Sequence, residues 1–331
     1  MTTFDVVIVG AGPAGLAAAI AAKTRGLAYV VIEKGALVNS LLHYPTDMVF
    51  FTTPELLEIG GLPFTSPHDK PTRQEALRYY RRVVDTYQLE IRLGEAVTGL
   101  SRESDGTFRV TSETRTGDRT VRAARAVIMA SGAYDYPNLL NVPGEDLPHV
   151  SHFYHEPHPY YRKRVVVVGG KNSAADVALE IYRAGGHVAL VHRGERLSDS
   201  IKYWVRPDIE NRIKEGTIRA RFNARVVEIT PEAVLVDGPD GPASEPADFV
   251  LLMTGYRSET ALFRGVGAEI DDRIGAPVYN TDTLETTVPS LFVIGACVAG
   301  QQSGHIFIEN GRFHGEVAVR EIESRLAARM R

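Results

Sequence analysis

The chain has 331 residues, 44% of them hydrophobic, which is enough for two domains with complete cores; no stretch reaches the uninterrupted apolar length of a membrane span. With 37 basic and 41 acidic residues the net charge is −4, so no positive excess attracts nucleic acid or anionic lipid. One cysteine excludes a disulfide framework, and the start MTTFDVVIVG lacks the features of a signal peptide, so we expect a soluble protein of the cytoplasm.

The first predicted unit opens with a strand, a glycine-rich turn and a helix of small residues, in the segment DVVIVGAGPAGLAAAI. The β-branched run from Val6 to Val9 is typical of a fully buried parallel strand that leads into its first crossover helix. Gly10, Gly12 and Gly15 form G-x-G-x-x-G directly after this strand. This order of elements predicts a site for a dinucleotide.

Each glycine of this motif has a physical role. Gly10 makes the tight turn, Gly12 lets the backbone approach a pyrophosphate, and Gly15 lets helix and strand close up. Glu33 ends the next strand, 23 positions after Gly10, near the spacing that places an acid on a ribose hydroxyl. The alternative is a tight strand-to-helix turn without a ligand, and the acid in register favours the dinucleotide.

The stretch from Asn39 to Pro71 predicts a long irregular segment, and a helix follows it. Thr72 and Glu75 in TRQE form a capping box that opens this helix. Apolar residues at helical spacing predict one buried face: Ala76, Leu77, Tyr80, Val83, Val84 and Tyr87. A short β region with a turn at TRTGDR comes next, and AVIMASGAYDYPNLLNVPGEDLP ends the unit in a strand and a proline-rich connection between domains.

A second strand–turn–helix–strand unit occupies Arg164 to Arg193, in RVVVVGGKNSAADVALEIYRAGGHVALVHR. Two such units predict an α/β protein with two doubly wound, Rossmann-type domains. We predict that residues 1–137 and 258–331 form the first domain and that residues 138–257 form a second domain inserted in it. The second unit closes with DFVLLMTGYR, and the last part of the chain supplies a strand at Leu291 to Gly295 and a final helix.

The second glycine turn departs from the usual pattern. Lys171 stands where the second glycine would be, and Ala174 replaces the third. The following strand ends in His192 and Arg193, without the acid that would accept from a free ribose hydroxyl. Because cations suit a 2′-phosphate, this turn favours NADPH over NADH, and the alternative is an ordinary solvated strand end.

Two nucleotide sites suggest FAD in the first domain and NADPH in the second, and the chain resembles the thioredoxin-reductase-like flavoproteins from VVIVGAGPAG to TTVPSLFVIGA. Four segments resemble the bacillithiol disulfide reductase family more closely: NSLLHYPTDMVFFTTPELLEIGGLPF, KPTRQEALRYYRRV, VVGGKNSAADVALE and IFIENGRFHG. The resemblance spans nearly the full length. It implies an FAD enzyme that oxidises NADPH and reduces a low-molecular-weight thiol disulfide, often together with a bacilliredoxin.

The chain departs from these relatives at three places. The stretch SHFYHEPHPYYRKR lacks the C-x-x-C of thioredoxin reductases, which excludes a dithiol relay to thioredoxin. Ala14 stands where the bacillithiol disulfide reductase family commonly has the cysteine that is its usual redox candidate. Gly295 and Ala296 replace the Gly-Asp pair that holds the ribityl chain in many related flavoproteins.

Motifs and resemblance together imply two sets of cofactor residues and no metal site. Those for FAD are Gly10, Gly12, Pro13, Ala14, Gly15, Glu33, Lys34, Asn39, Ser40, Tyr44, Thr46, Val97, Ser131, Gly132, Gly295, His305 and Ile306. Tyr44, Pro45 and Thr46 are implied to lie against the isoalloxazine ring. Those for NADPH are Gly169, Gly170, Lys171, Asn172, Ser173, His192, Arg193 and Gly255.

Two residues are candidates for catalysis. Cys297 follows a strand whose carboxyl end should open toward the flavin, but no nearby cation lowers its pKa, so we interpret it as a packing residue. His305 is predicted at the start of the last helix, where it could donate a proton to a leaving thiolate. Its alternative role is to cap or pack that helix.

Three functions compete. The first is reduction of a small disulfide, for which bacillithiol disulfide is the implied substrate and a bacilliredoxin-like protein an implied partner. The second is electron transfer to ferredoxin or flavodoxin, which the missing C-x-x-C and Ala14 favour. The third is a flavin-binding redox sensor without turnover. The resemblance also suggests a homodimer or homotetramer.

Overall fold

The structure is a computed structural model that describes residues 3–301 and 303–329. These residues separate into two compact units. One unit combines residues up to Tyr136 with residues from Tyr256 onward, and the other is Pro137–Gly255. The chain therefore leaves the first unit once and returns to it once. None of the helices in the described residues has the length and apolar character that crossing a membrane requires.

The part of the first unit before Tyr136 contains six of the strands of its large sheet. Up to Tyr136 it contains β1 (Thr3–Val9), α1 (Pro13–Thr24), β2 (Tyr29–Glu33), α2 (Asn39–Leu42), α3 (Pro54–Leu57), α4 (Arg73–Tyr87), β3 (Ile91–Leu93), β4 (Glu95–Arg102), β5 (Phe108–Thr114) and β6 (Arg119–Met129). The segment predicted as irregular, 39–71, is irregular apart from the short helices α2 and α3.

The second unit has its own strands and helices. It contains β7 (Val150–Ser151), a 3₁₀ turn (His158–Tyr160), β8 (Arg164–Val168), α5 (Asn172–Arg183), β9 (His187–Val191), α6 (Arg206–Lys214), β10 (Arg219–Arg221), β11 (Arg225–Ile229), β12 (Ala233–Asp237), β13 (Ala243–Pro246) and β14 (Phe249–Leu252).

The first unit is then completed by the last part of the chain. This part contains α7 (Ala261–Gly265), β15 (Ile270–Asp271), β16 (Ala276–Pro277), β17 (Leu291–Val293), two 3₁₀ turns (Gly295–Ala299 and Ser303–His305), α8 (Ile308–Gly311) and α9 (His314–Arg329). The predicted strand at 291–295 is present, and it ends at Val293.

The large sheet of the first unit has the order β3-β2-β1-β6-β5-β4, and β17 also pairs with β6. Strands β1, β2, β3, β6 and β17 run parallel, whereas β4, β5 and β6 form an antiparallel set around the predicted turn. The carboxyl ends of parallel strands meet at one edge. That edge therefore brings together the segments that follow Val9, Glu33, Met129 and Val293.

Helices α1, α4 and α9 bury apolar faces in the first unit, and α1 and α9 also pack closely against each other. Helices α1 and α9 contribute to the same buried core, and a Cβ at Gly315 of α9 would collide with the backbone of Ala18 in α1. Helix α4 has the predicted capping box between Thr72 and Glu75. Its predicted face is buried at Ala76, Leu77, Tyr80 and Val83 and half-buried at Val84 and Tyr87.

The second unit contains a parallel sheet in the order β10-β9-β8-β14-β7. The α/β class and the two doubly wound domains are thus confirmed. The sequence analysis missed the antiparallel sheet β11-β12-β13, because the β12 sequence AVLVD does not alternate between apolar and polar residues, whereas its burial does, with Val234 and Val236 buried and their neighbours exposed or half-buried. Such alternation is the pattern of a strand with one buried face.

Candidate functional site

The first glycine turn joins β1 to α1, and its three glycines have different surroundings. Gly10 has a φ of +108°, and a Cβ there would collide with the carbonyl of Ala130. A Cβ at Gly15 would collide with the carbonyl of Gly10. Gly12 has extended backbone, with a φ of −73°, and a Cβ there would meet no atom of the described residues within 4 Å. Gly12 therefore leaves open space in which a pyrophosphate fits.

Glu33 lies buried beside this turn at the end of β2. One carboxylate oxygen accepts the N–H of Ala11 at 2.8 Å and the other accepts the N–H of Gly35 at 2.8 Å. These two bonds fix the carboxylate and leave a lone pair on each oxygen for a ribose hydroxyl. The next residue, Lys34, forms an ion pair with Asp135 at 2.7 Å.

The remaining predicted FAD positions lie around the same sheet edge or on neighbouring segments. Pro13 is at the start of α1, and Ala14 is the residue that a Cβ on Gly295 would strike. Ser40 lies near Gly132, while Asn39 accepts the N–H of Ala36 at 3.1 Å. The others are distributed as follows: Thr46 exposed in the loop after α2, Val97 half-buried in β4, Ser131 half-buried after β6, and Ile306 half-buried before α8.

Cys297 is fully buried in the 3₁₀ turn that follows β17. Its sulfur accepts the N–H of Gly132 at 3.0 Å and lies 3.4 Å from the hydroxyl of Ser131. Burial raises the pKa of the thiol, although these hydrogen bonds partly oppose the shift. A buried thiol with a raised pKa is a poor nucleophile, so the surroundings of Cys297 favour its interpretation as a packing residue.

The prediction for the location of His305 is wrong. His305 is exposed in a 3₁₀ turn, and the last helix begins at His314. The short helix α8 lies between the two, and the Asn310 side chain caps its start by donating to the carbonyl of His305 and accepting the N–H of Phe307. This cap sets the first residue of α8 at Ile308 and leaves His305 before the helix.

His314 is a residue of this region that the sequence analysis missed. Its Nδ1 accepts the N–H of Gly295 at 3.2 Å, so the proton of the neutral imidazole is on Nε2. Burial lowers the pKa of His314, which keeps the ring neutral and the bond to Gly295 intact at neutral pH. The hydrogen bond therefore fixes the turn that carries Gly295 and Ala296.

Three tyrosines of the first unit form an aromatic cluster. The ring of Tyr134 lies edge-on to Tyr44, with centroids 4.8 Å apart, and also contacts Tyr256 at 4.5 Å. Burial and the nearby Tyr256 raise the pKa of Tyr44 to about 12, so its phenol stays neutral at physiological pH. The sequence analysis proposed Tyr44 and missed the other two, whose contacts join residues far apart in the chain.

The second glycine turn joins β8 to α5. Gly169 has a φ of +154°, and a Cβ there would meet the carbonyl of Met253. A Cβ at Gly170 would collide with the ring of His192, so this imidazole packs directly on the turn. Burial and the charge of Arg193 lower the pKa of His192, so its ring is neutral at physiological pH.

Two cations at this turn, Lys171 and Arg193, are exposed and have no ion-pair partner among the described residues. Nearby Arg196 and Arg206 differ from them, since both lie within ion-pair distance of Asp199. Unpaired cations beside a glycine turn are the groups that a phosphate-bearing nucleotide requires.

The other residues predicted for NADPH differ in their surroundings. Asn172 uses its side-chain amide within the protein, donating to the carbonyl of Ser200 at 3.1 Å and accepting the N–H of Lys202 at 3.0 Å. Its side chain thus holds the loop over the turn. Ser173 is exposed in the first turn of α5, and Gly255 is exposed with a φ of +86°.

Asp176 is a titratable group on α5 that the sequence analysis also missed. Burial, followed by the charge of Glu180, raises its pKa from 3.8 to about 6. A carboxyl group with this pKa exchanges a proton near neutral pH. No group of three or more His, Cys, Asp or Glu side chains in the part of the chain described here is arranged to hold a metal ion.

Comparison with known proteins defines the class. The family of pyridine nucleotide-disulphide oxidoreductases matches residues 7–295. The chain belongs to this family, and it is an oxidoreductase enzyme. It is 42% identical over 320 residues to the bacilliredoxin reductase Bdr of Bacillus subtilis (strain 168), which covers 96% of this chain and 97% of that protein.

A solved structure gives the more particular assignment. The bacillithiol disulfide reductase Bdr (YpdA) from Bacillus cereus is 40% identical and superposes with a TM-score of 0.95 over 98% of this chain and 100% of that one. The chain thus belongs to the bacillithiol disulfide reductase group, and the resemblance deduced from its motifs is confirmed. Ferredoxin–NADP reductase 1 of Listeria monocytogenes serotype 4b (strain F2365) is a more distant relative, 25% identical over 96% of this chain and 91% of its own.

The glycines of the first turn provide a matched pair of substitutions. Gly12→Ala is expected to leave the melting temperature of the apoprotein unchanged, because no atom of the described residues lies near the added methyl, and to abolish flavin uptake. Gly10→Ala is expected to prevent folding, because its methyl meets a carbonyl and its φ is positive. Thermal unfolding and flavin titration measure both. Normal flavin binding by Gly12→Ala would refute the pyrophosphate position.

Asp176 predicts a pH-dependent stability. The pKa of Asp176 is raised in the folded state. Its favourable contribution to the free energy of unfolding is therefore fully present below the unfolded pKa of 3.8 and is lost as the pH rises through about 6. A shift of this size corresponds to at most about 3 kcal/mol. Asp176→Asn is therefore expected to unfold at a higher temperature than the wild type at about pH 7.5 and at the same temperature near pH 4. If the unfolding temperatures of Asp176→Asn and the wild type differed by the same amount at both pH values, the raised pKa would not explain the difference.

Proposed function

We propose that the protein is an FAD-dependent, NADPH-oxidising reductase of a low-molecular-weight thiol disulfide such as bacillithiol disulfide. One observation carries the proposal: the chain has two dinucleotide-type turns, at Gly10–Gly15 and Gly169–Ala174, each at the carboxyl edge of its own parallel sheet. The surroundings of the two turns suit different nucleotides. The names of the similar proteins, bacilliredoxin reductase and bacillithiol disulfide reductase, supply the substrate class.

The first turn suits FAD. Gly12 leaves room for the pyrophosphate, and the N-terminus of α1 presents its free N–H groups there. Glu33 is held in place to accept from a ribose hydroxyl. His314 orients the Gly295 turn, where related proteins use Gly-Asp for the ribityl chain. When bound, FAD supplies the two-electron chemistry that connects a hydride donor to a disulfide.

The second turn suits NADPH. Lys171 and Arg193 provide two unpaired positive charges, and the neutral ring of His192 packs directly on Gly170 of the turn. Asn172 fixes the loop that lies over the turn, so the site is shaped before the nucleotide arrives. The two residues directly after β9 are His192 and Arg193, and the first acid, Glu195, comes four positions after the strand ends, so no carboxylate stands at the strand tip to favour a free 2′-hydroxyl.

Disulfide reduction here uses no thiol of the protein. Cys297 is the only cysteine, and it is buried with a raised pKa. Cleavage of the S–S bond takes up two electrons and two protons, of which NADPH supplies the electrons and one proton as a hydride and solvent supplies the other proton. FAD held at the first glycine turn would supply the two-electron chemistry between NADPH and the disulfide. A bacilliredoxin carrying a mixed disulfide is an alternative acceptor.

Electron transfer to ferredoxin or flavodoxin is a second candidate. Two features of the chain favour it, namely the absence of C-x-x-C and the presence of Ala14 in the first glycine turn. A ferredoxin–NADP reductase is a relative along most of the chain, although at lower identity. Both candidates share the same two nucleotides and differ only in the acceptor.

NADPH oxidation by purified protein, measured against bacillithiol, coenzyme A and glutathione disulfides and against ferredoxin, tests the proposal. We expect turnover that depends on bacillithiol disulfide, with or without bacilliredoxin. Cys297→Ser should retain the wild-type rate within about twofold, because the thiol is buried and protonated. Rapid ferredoxin reduction without a response to disulfides would select the second candidate, and a flavin that NADPH fails to bleach would exclude both.

Arg193 tests the choice of nucleotide. Arg193→Ala is expected to lower kcat/KM for NADPH by about 10- to 100-fold, the value of a charged hydrogen bond to phosphate, and to leave kcat/KM for NADH unchanged. Arg183→Ala is the control, since Arg183 lies at the other end of α5 and pairs with Asp208. Equal losses with both nucleotides would show that Arg193 does not read the 2′-phosphate.

A further inference from the structure

Three consecutive carbonyls at the end of α2 are held by side chains from distant parts of the chain. The Nε of Arg73 donates to the carbonyl of Leu41 at 3.0 Å, and its Nη2 donates to that of Leu42 at 2.7 Å. The hydroxyl of Tyr134 donates to the carbonyl of His43 at 3.1 Å. A helix leaves its last carbonyls without intrahelical partners, and here they receive three donors. We call Arg73 and Tyr134 the carbonyl clamp.

Arg73 is unusual because it is a buried cation, with 8% of its surface exposed. No carboxylate of the described residues forms an ion pair with it. Burial of a guanidinium is costly, and a hydrophobic residue at this helix position would avoid that cost. The bonds to the carbonyls of Leu41 and Leu42 therefore identify what the buried charge does: it fixes the backbone of another segment.

Backbone hydrogen bonds also hold the loop after α2 at its carboxyl end, at Met48 and Phe50. The backbone N–H of Arg73 donates to the carbonyl of Met48 at 2.9 Å, and the N–H of Phe50 donates to the carbonyl of Pro71 at 2.9 Å. One short stretch at the start of α4 therefore holds both ends of the loop that contains Tyr44.

The segment begins with a strained residue. Val38 precedes α2 with a φ of 48°, a conformation that β-branched side chains rarely adopt, and it is buried. Its N–H donates to the carbonyl of Ala11 in the first glycine turn at 3.2 Å. Such strain persists where the surroundings determine the backbone, and it is concentrated at functional sites. Tyr44 follows Val38 by six residues.

We propose that Arg73 and Tyr134 are positioning residues that aim Tyr44 at the isoalloxazine ring of bound FAD. This inference rests on the proposed function. Arg73 and the Tyr134 hydroxyl fix the three carbonyls that immediately precede the Tyr44 side chain, and the Tyr134 ring supports the Tyr44 ring from the side. The clamp determines the surroundings of the flavin without touching substrate.

The test uses two clamp variants with matched controls. Arg73→Met removes two donors, and Tyr134→Phe removes one hydroxyl while keeping the ring. Arg81→Met changes an exposed arginine of the same helix, and Tyr80→Phe removes a hydroxyl that donates to the carbonyl of Leu57, outside the loop. The readouts are the dissociation constant for FAD, the visible absorption spectrum and reduction potential of the bound flavin, and the melting temperature of each apoprotein.

We expect Arg73→Met to weaken FAD binding by about tenfold or more and to shift the spectrum and the potential. Tyr134→Phe should change the same quantities by less. Both controls should match the wild type in all flavin readouts, even if Tyr80→Phe lowers the melting temperature. Arg73→Lys keeps the charge but cannot bond both carbonyls as a planar fork, so it should resemble Arg73→Met.

The outcomes separate this inference from the proposed function. If the wild type takes up FAD but the clamp variants have its spectrum, potential and affinity, the clamp is structural only and the inference is overturned. Wild-type behaviour of Arg73→Lys would overturn it as well, since charge alone would then suffice. If the wild type takes up no FAD, the proposed function fails and the inference fails with it. Tyr134→Phe keeps the test decisive if Arg73→Met does not fold.

Discussion

The first unit depends on a close approach of backbone to backbone at Gly10. The carbonyls of Ala130 and Gly10 occupy the places where side chains at positions 10 and 15 would be. This contact lets β1 pass directly into α1 next to β6, and it brings the free N–H groups of α1 to the sheet edge where Glu33, Gly132 and Gly295 also lie. Gly12, between these two contacts, leaves open space at this edge for a nucleotide phosphate.

The two glycine turns share a backbone shape and differ in charge. The first is surrounded by neutral backbone donors and by Glu33, whose oxygens are fixed by Ala11 and Gly35. The second carries Lys171 and Arg193, which lack ion-pair partners among the residues described. Since the glycines shape each turn and admit a phosphate without distinguishing one nucleotide from another, the side chains beside each turn determine which nucleotide suits it. One chain can therefore provide two distinct sites by using the same unit twice.

Local patterns predicted much of this structure. The strands, both turns, Glu33 and the capping box of α4 follow from short stretches of sequence, because their geometry depends on neighbours in the chain. Arg73, Tyr134 and His314 could not be found in this way, since each acts on backbone that lies at least 19 residues away. The position predicted for His305 was wrong because the helical pattern after it is divided between α8, whose start Asn310 caps, and α9.

The insertion of one unit into the other has a consequence for biosynthesis. The sheet of the first unit lacks β17 until residues after Tyr256 have been made, and α1 lacks its partner helix α9. All strands of the second unit lie between Pro137 and Gly255. During synthesis on the ribosome, all residues of the inserted unit are therefore available before all those of the first unit. Until β17 and α9 have been made, the surfaces of β6 and α1 that they cover stay exposed.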